Sequence, residues 1–279
     1  MPVESFREAL RTIGARPLLW VPGIVTGACA AALWLMLNFT GAFFTSRLFI
    51  LAGLVLMFFV VGMLVLLREK TGDFHTLVEG GMRYYFRVLI PQLVIVFMIV
   101  VLFVLLVVTF GFVGTAADPA FVGLLTFCIM VPTLMLTFFF DIAAVFEDKK
   151  VFESIQRSAL LVSENMTKVI GYYLVCAAAM SVIVFGLMFA WEIALFERLA
   201  PLAEYNQTQI QAFTYEQLLA IIGPEGIWVT AAILFIGGLL IVPLMYSYKA
   251  CFFKRLAGST PIITQIGGEY DSKGRWYKY

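Results

Sequence analysis

Acid–base, metal and nucleophilic chemistry need side chains of matched type within reach of one another, and few residues of this chain meet that condition. Asp141 is the one acid set well inside an apolar run, six residues before Glu147 and so roughly 9 Å deeper at ~1.5 Å per residue. A carboxylate at such depth is by default a functional hypothesis. It can bind a proton or a cation, or it can pair with Lys168 or Arg87 across a helix interface. No second acid accompanies it, which favours pairing. His75 is the sole histidine, and metal binding or proton transfer asks for convergent partners that its neighbours do not offer. Cys29, Cys128, Cys176 and Cys251 lie too far apart for a CxxC metal site or a disulfide framework. With no Ser/His, paired-Asp or metal-ligand pattern, we expect no catalytic, metal or cofactor site and a non-enzymatic protein.

The second chemical group is basic. Arg83, Arg87, Lys149, Lys150 and Arg157 are candidate contacts for anionic lipid head groups, each worth ~1 kcal/mol beside a negative surface. Glu79, Glu147, Asp148 and Glu153 stand next to them and weaken that attraction. A net charge of +1 argues against a nucleic-acid partner, so the expected partners are membrane lipids, with a protein partner or a second copy of the chain also open.

The elements that must hold these residues follow from composition. Of 279 residues, 62% are hydrophobic and 13% charged, against ~45–50% and ~25% in soluble domains. Apolar runs long enough to cross ~30 Å of hydrocarbon as helices fall at 18–39, 46–67, 89–113, 121–146, 169–195 and 227–250. The fold expected is an all-α integral membrane protein of six transmembrane helices, with a membrane domain over 1–255 and a tail over 256–279. All but two of the 19 basic residues, Arg47 and Arg198, fall on one side of these spans. By the positive-inside rule that side is cytoplasmic and holds both termini, in a protein of the cell membrane. Trp20 at the cytoplasmic side and Trp34, Trp191 and Trp228 at the other sit where indoles favour the interface.

Three charged stretches precede three hairpins. Val151, Phe152, Ile155, Ala159 and Val162 recur at helical spacing, with Glu153 and Arg157 paired on the wet side. Phe74, Leu77, Val78, Met82 and Tyr85 form a like stripe beside Glu79, Arg83 and Arg87, and Phe6, Ala9, Leu10 and Ile13 form a third. Aligning Phe6, Phe74 and Phe152 suggests three degenerate repeats, each an amphipathic surface helix followed by two spans. The alternation also arises without common ancestry in any positive-inside hairpin protein, and both readings stand. On the far side, Thr214 and Gln217 make a capping box for a short helix stopped by Gly223-Pro224. Gly23, Gly27 and Ala31 allow close helix approach, inside the chain or between copies, and Pro132 and Pro243 predict kinks in spans four and six.

The stretch "FEDKKVFESIQRSALLVSENMTKVIGYYL" resembles the six-helix membrane domain attached to some glycerophosphodiester phosphodiesterases, and related archaeal and bacterial membrane proteins of unknown function. Glu147, Arg157, Ser158, Leu161, Val162, Asn165 and Val169 carry the likeness, with Pro243, Tyr246 and Tyr248 in the last span and Arg255 after it. Asp148 and Glu164 stand where that family favours Gly or small residues. The resemblance implies a membrane module without a phosphodiesterase domain. The function expected is a lipid- or partner-binding module in envelope organisation or assembly, with "GEYDSKGRWYKY" free to dock a cytoplasmic partner; the alternative is a small permease or lipid-handling transporter using Asp141.

Overall fold

The computed structural model describes residues 1–112, 119–204, 214–259, 268–270 and 276–278. Its helices are α1 (Pro2–Ala15), α2 (Val21–Thr40), α3 (Ala42–Glu69), α4 (Phe74–Phe112), α5 (Pro119–Thr137), α6 (Phe140–Phe146), α7 (Val151–Glu164), α8 (Met166–Ala194), α9 (Phe196–Leu199) and α10 (Tyr215–Ser259). Two short strands, β1 (Gly268–Tyr270) and β2 (Trp276–Lys278), pair antiparallel with Glu269 opposite Tyr277. Half of the expected docking segment, 271–275 and 279, lies outside the described residues. Six helical stretches are long and apolar enough to cross a membrane, which is the fold of a multi-pass membrane protein.

Three of the six expected spans differ in detail. The second charged stretch does not break from span three: α4 runs through both, with Pro91 inside it. Span six likewise extends back through the far-side helix, interrupted only at Gly223, whose φ of +62° suits glycine because no Cβ is present to clash. Thr214 and Gln217 do form the reciprocal cap, at 2.9 and 3.3 Å. Span four is broken, and away from its proline: α5 ends at Thr137, and α6 begins at Phe140.

That break is repaired from another element. Ser158 of α7 donates its hydroxyl to the Leu136 carbonyl at 2.7 Å and accepts from the Phe139 N–H at 2.9 Å. Each backbone group would otherwise be a buried orphan. Thr133 and Thr137 bond back to Ile129 and Thr133, a pattern that bends helices just before the break.

Between helices in hydrocarbon there is little hydrophobic drive, so association depends on close approach through small residues. A Cβ on Gly27 would lie 2.3 Å from the Phe235 oxygen, and one on Gly238 would lie 2.6 Å from Gly27 N. The glycine stripe of α2 is therefore an internal seam with α10. Gly62 does the same for α3 against α4, where a Cβ would meet the Leu77 oxygen at 2.4 Å. Packing is densest toward one end, among Leu64, Leu66, Leu77, Ile142, Leu161, Val169 and Phe252. This is the end that carries most of the basic residues, called here the basic end. Toward the other end, large apolar side chains such as Phe97, Phe103, Phe185 and Phe189 face outward, as lipid-facing positions do. There the Trp34 and Trp191 indoles donate to the Ile227 carbonyl and the Thr230 hydroxyl of α10, at 3.0 and 2.8 Å.

The three charged stretches pack more deeply than their stripes suggest. On α7 the buried face is Ser154, Arg157, Ser158, Leu161 and Val162, and Phe152 is exposed. Arg157 does not pair with Glu153 on a wet side: it turns inward, and Glu153 accepts from the Lys150 backbone N–H at 3.2 Å. Over the charged stretch of α4 the buried residues are Leu77, Gly80, Gly81, Tyr84 and Val88, while Phe74 and Met82 are exposed. The register through Phe6, Phe74 and Phe152 thus places no shared aromatic in the core, since Phe6 alone packs edge-on against Tyr248.

Replacing Ser158 with Ala should leave a carbonyl and an N–H unpaired inside the bundle, costing about 1–3 kcal/mol. Thermal unfolding in detergent checks this; a Ser158→Ala variant as stable as the parent would show that the break needs no patch.

Candidate functional site

Asp141 sits in the first turn of α6, placed there by the break in span four. Lys249 of α10 reaches both of its carboxylate oxygens at 2.7 Å. One of these oxygens also accepts from the Ile142 N–H at 2.8 Å. Both side chains are buried. The acid therefore has a partner, and it is neither of those expected: Lys168 bonds the Asn165 side-chain oxygen at 2.8 Å, and Arg87 goes to Asp148. Sequence spacing could not show this pairing, because the two residues stand 108 positions apart.

Aromatic rings wall the pair. The ammonium lies 4.3 Å from the Phe138 ring centroid and 5.7 Å from that of Tyr246, within cation–π range. Beyond them, Tyr172 of α8 stacks on Tyr248 with centroids 4.4 Å apart, and Phe139 packs against Phe252 at 6.0 Å. Between α6 and α10 themselves, Phe146 packs edge-on against Phe253 with centroids 6.1 Å apart. The Ser247 and Tyr248 hydroxyls are buried without a hydrogen-bond partner among the described residues.

A second polar knot lies where the spans end. Asp148 follows α6 with φ +53°, a left-handed conformation that costs an L-residue and suits glycine. Its carboxylate accepts from the Tyr84 hydroxyl at 2.5 Å, from Arg68 at 2.7 Å and from Arg87 at 3.2 Å. The Tyr84 hydroxyl, followed by the Arg68 guanidinium, holds the Asp148 carboxyl below the usual carboxylate range. Arg68 also donates to the Val145 carbonyl at 2.7 Å, and Lys254 donates to the Leu67 carbonyl at 2.7 Å. In each case a cation from another element closes the end of a helix, where carbonyls lack partners and the helix dipole is negative.

The expected lipid contacts divide accordingly. Arg157 is buried, its guanidinium held by Glu147 at 2.9–3.2 Å, so it is not open to a head group. Arg87 is bound to Asp148 but partly exposed. Arg83 and Lys150 are exposed and Lys149 half-buried. His75 pairs only with Glu79, at 3.4 Å on the surface. No group of three His, Cys, Asp or Glu side chains among the described residues could hold a metal. Sequence reasoning did not assign roles to Lys249, Tyr84 and Arg68; Ser158 and Asn165 were visible only within the family-like motif.

Residues 2–256 match the model of a family described as a domain of unknown function, DUF7847. Because that match spans nearly the whole chain, the protein belongs to this family of unknown function. No curated protein and no solved structure matches it.

A buried pair that loses one partner leaves an uncompensated charge, which costs about 3–5 kcal/mol, while replacing both partners with apolar groups is close to neutral. Asp141→Leu and Lys249→Met should each destabilise by that amount, and the double variant should recover most of it. Equal and additive losses in thermal unfolding would overturn the pairing.

The lowered Asp148 pKa has a definite sign. Its stabilising contribution is complete above the ~3.9 of an ordinary aspartate and is lost as pH falls from there through the depressed folded value. Asp148→Asn should therefore narrow its stability gap from the parent as the medium is acidified below about pH 4. A gap that stays constant or widens in acid would contradict the linkage.

Proposed function

We propose that this chain is a non-enzymatic module of the cell membrane, with cytoplasmic termini, that binds inner-leaflet lipids or a protein partner in envelope organisation or assembly. One observation carries the reading: three acids where the spans end are closed onto cations of the same chain, Asp141 on Lys249, Glu147 on Arg157, and Asp148 on Arg68 and Arg87. Such an end is cross-braced, as a platform is, and Arg83 and Lys150 are left exposed, with Lys149 half-buried. The likeness of the 146–174 stretch to membrane domains attached to glycerophosphodiester phosphodiesterases supports a module that serves another activity. Descent from three helix-plus-hairpin repeats belongs to the same proposal.

A second reading, a small permease, has one feature in its favour. Transporters commonly place discontinuous spans at their binding sites, and here span four is interrupted beside Asp141. In that mechanism Lys249 would have to release the acid during each cycle.

Reconstitution separates the two. Purified protein in liposomes should give no solute or proton flux above that of empty vesicles. Flux that scales with protein content and disappears in a folded Asp141→Asn variant would replace the module with the permease.

A further inference from the structure

Between α3 and α4 lies a groove of about 440 Å³ lined by Leu54, Val55, Phe58, Met82, Tyr85 and Phe86. It is a shallow depression open to the outside of the helix bundle rather than an enclosed cavity. Gly81 allows it to form: a Cβ there would lie 2.9 Å from the Phe58 ring, so the glycine lets that ring lie close to α4. The Tyr85 hydroxyl donates to the Leu54 carbonyl at 3.2 Å, tying the phenol to the opposite helix. Met82 and Phe86 are 64% and 65% exposed, far more than interior packing would leave, so this wall is finished by something outside the chain.

The charge along the groove indicates what that is. Residues three and four apart share a helix face, so Arg83 and Arg87 form a row beside the row of Met82 and Phe86. Arg83 is exposed, lies with its guanidinium 5.4 Å from the Tyr84 ring centroid, and has no carboxylate partner among the described residues. Glu79, one turn away, points to His75 at 3.4 Å rather than to Arg83. Arg87 keeps donors beyond the one it gives Asp148. An apolar trough flanked by guanidiniums that can extend toward the interface along their aliphatic stems suits a molecule with a hydrocarbon chain and an anionic head.

We propose that this groove binds one acyl chain of an anionic glycerophospholipid, whose phosphate is held by Arg83 with help from Arg87. The assignment rests on the lipid-binding reading above and gives it a site and a head-group class. Arg83 supplies the charge selectivity, and the six groove residues supply the fit to the chain. Lipid bound here would bridge α3 and α4, with its head group beside the Tyr84–Asp148 knot.

The test uses the full chain in phosphatidylcholine nanodiscs doped with photoactivatable phosphatidylglycerol or with photoactivatable phosphatidylcholine bearing the same diazirine acyl chain. Adducts are mapped by mass spectrometry. Phosphatidylglycerol should label residues 54–58 and 82–86 roughly five-fold more than phosphatidylcholine, the ratio one basic residue provides near an anionic surface. Arg83→Gln should bring the two probes level. Val55→Trp, at a lipid-facing position, should fill the groove and remove the adducts while circular dichroism and elution stay unchanged. Adducts spread evenly over the exposed faces of α4 and α5, equal labelling by both probes in the parent, or labelling that survives Val55→Trp would each overturn the proposal. Such a result together with absent flux leaves the module standing without this site; specific labelling together with flux overturns the module and keeps the site.

Discussion

Lys249 and Asp141 carry opposite charges at a depth where neither is stable alone. A lone ion in hydrocarbon costs several kcal/mol or more, so each fixes where the other can be, and with them α6 and α10. The consequences run outward through the fold. For Asp141 to face Lys249, span four has to end its first helix early and restart at Phe140; that restart exposes two backbone groups, and Ser158 of α7 covers them. The position of α7 in turn places Arg157 on Glu147. One electrostatic requirement thus accounts for a broken span, a buried serine and an inward arginine.

Cations serve the basic end in three ways. Lys249 neutralises an acid, Arg68 and Lys254 close the ends of helices they do not belong to, and Arg255 reaches Glu4 and Glu8 of α1 at 2.7 and 2.8 Å. These contacts join segments far apart in the chain. Glycine seams complete the assembly, since backbones that nearly touch gain dispersion contacts which longer side chains would prevent.

Much of this architecture was legible in the sequence and some was not, for physical reasons. Span number and approximate bounds follow from hydropathy, because hydrocarbon thickness sets a length that composition must meet. Thr214 and Gln217 were readable as a cap because capping is local. The break before Phe140 was not: no proline or glycine marks it, and the group that stabilises it comes from 19 residues further along the chain. Asp141 could be singled out from its surroundings, whereas its partner depended on tertiary packing between distant helices. The stripe on α7 misled for a related reason, since helical periodicity identifies a distinct face but does not say whether a paired arginine belongs to the wet side or the interior.

At the end away from most of the basic residues, the described polar ties to α10 are the indoles of Trp34 from α2 and Trp191 from α8, the Asn38–Tyr215 hydrogen bond and the Arg198–Glu225 ion pair. Among the described residues, buried ion pairs gather at the basic end. A bilayer that thins or thickens imposes mismatch strain of fractions of a kcal/mol per Å, and that strain is absorbed first at the loosely tied end, as tilt of individual helices, while the braced end keeps its shape. The molecule yields to its lipid surroundings like a shuttlecock, stiff at the cork and compliant at the skirt.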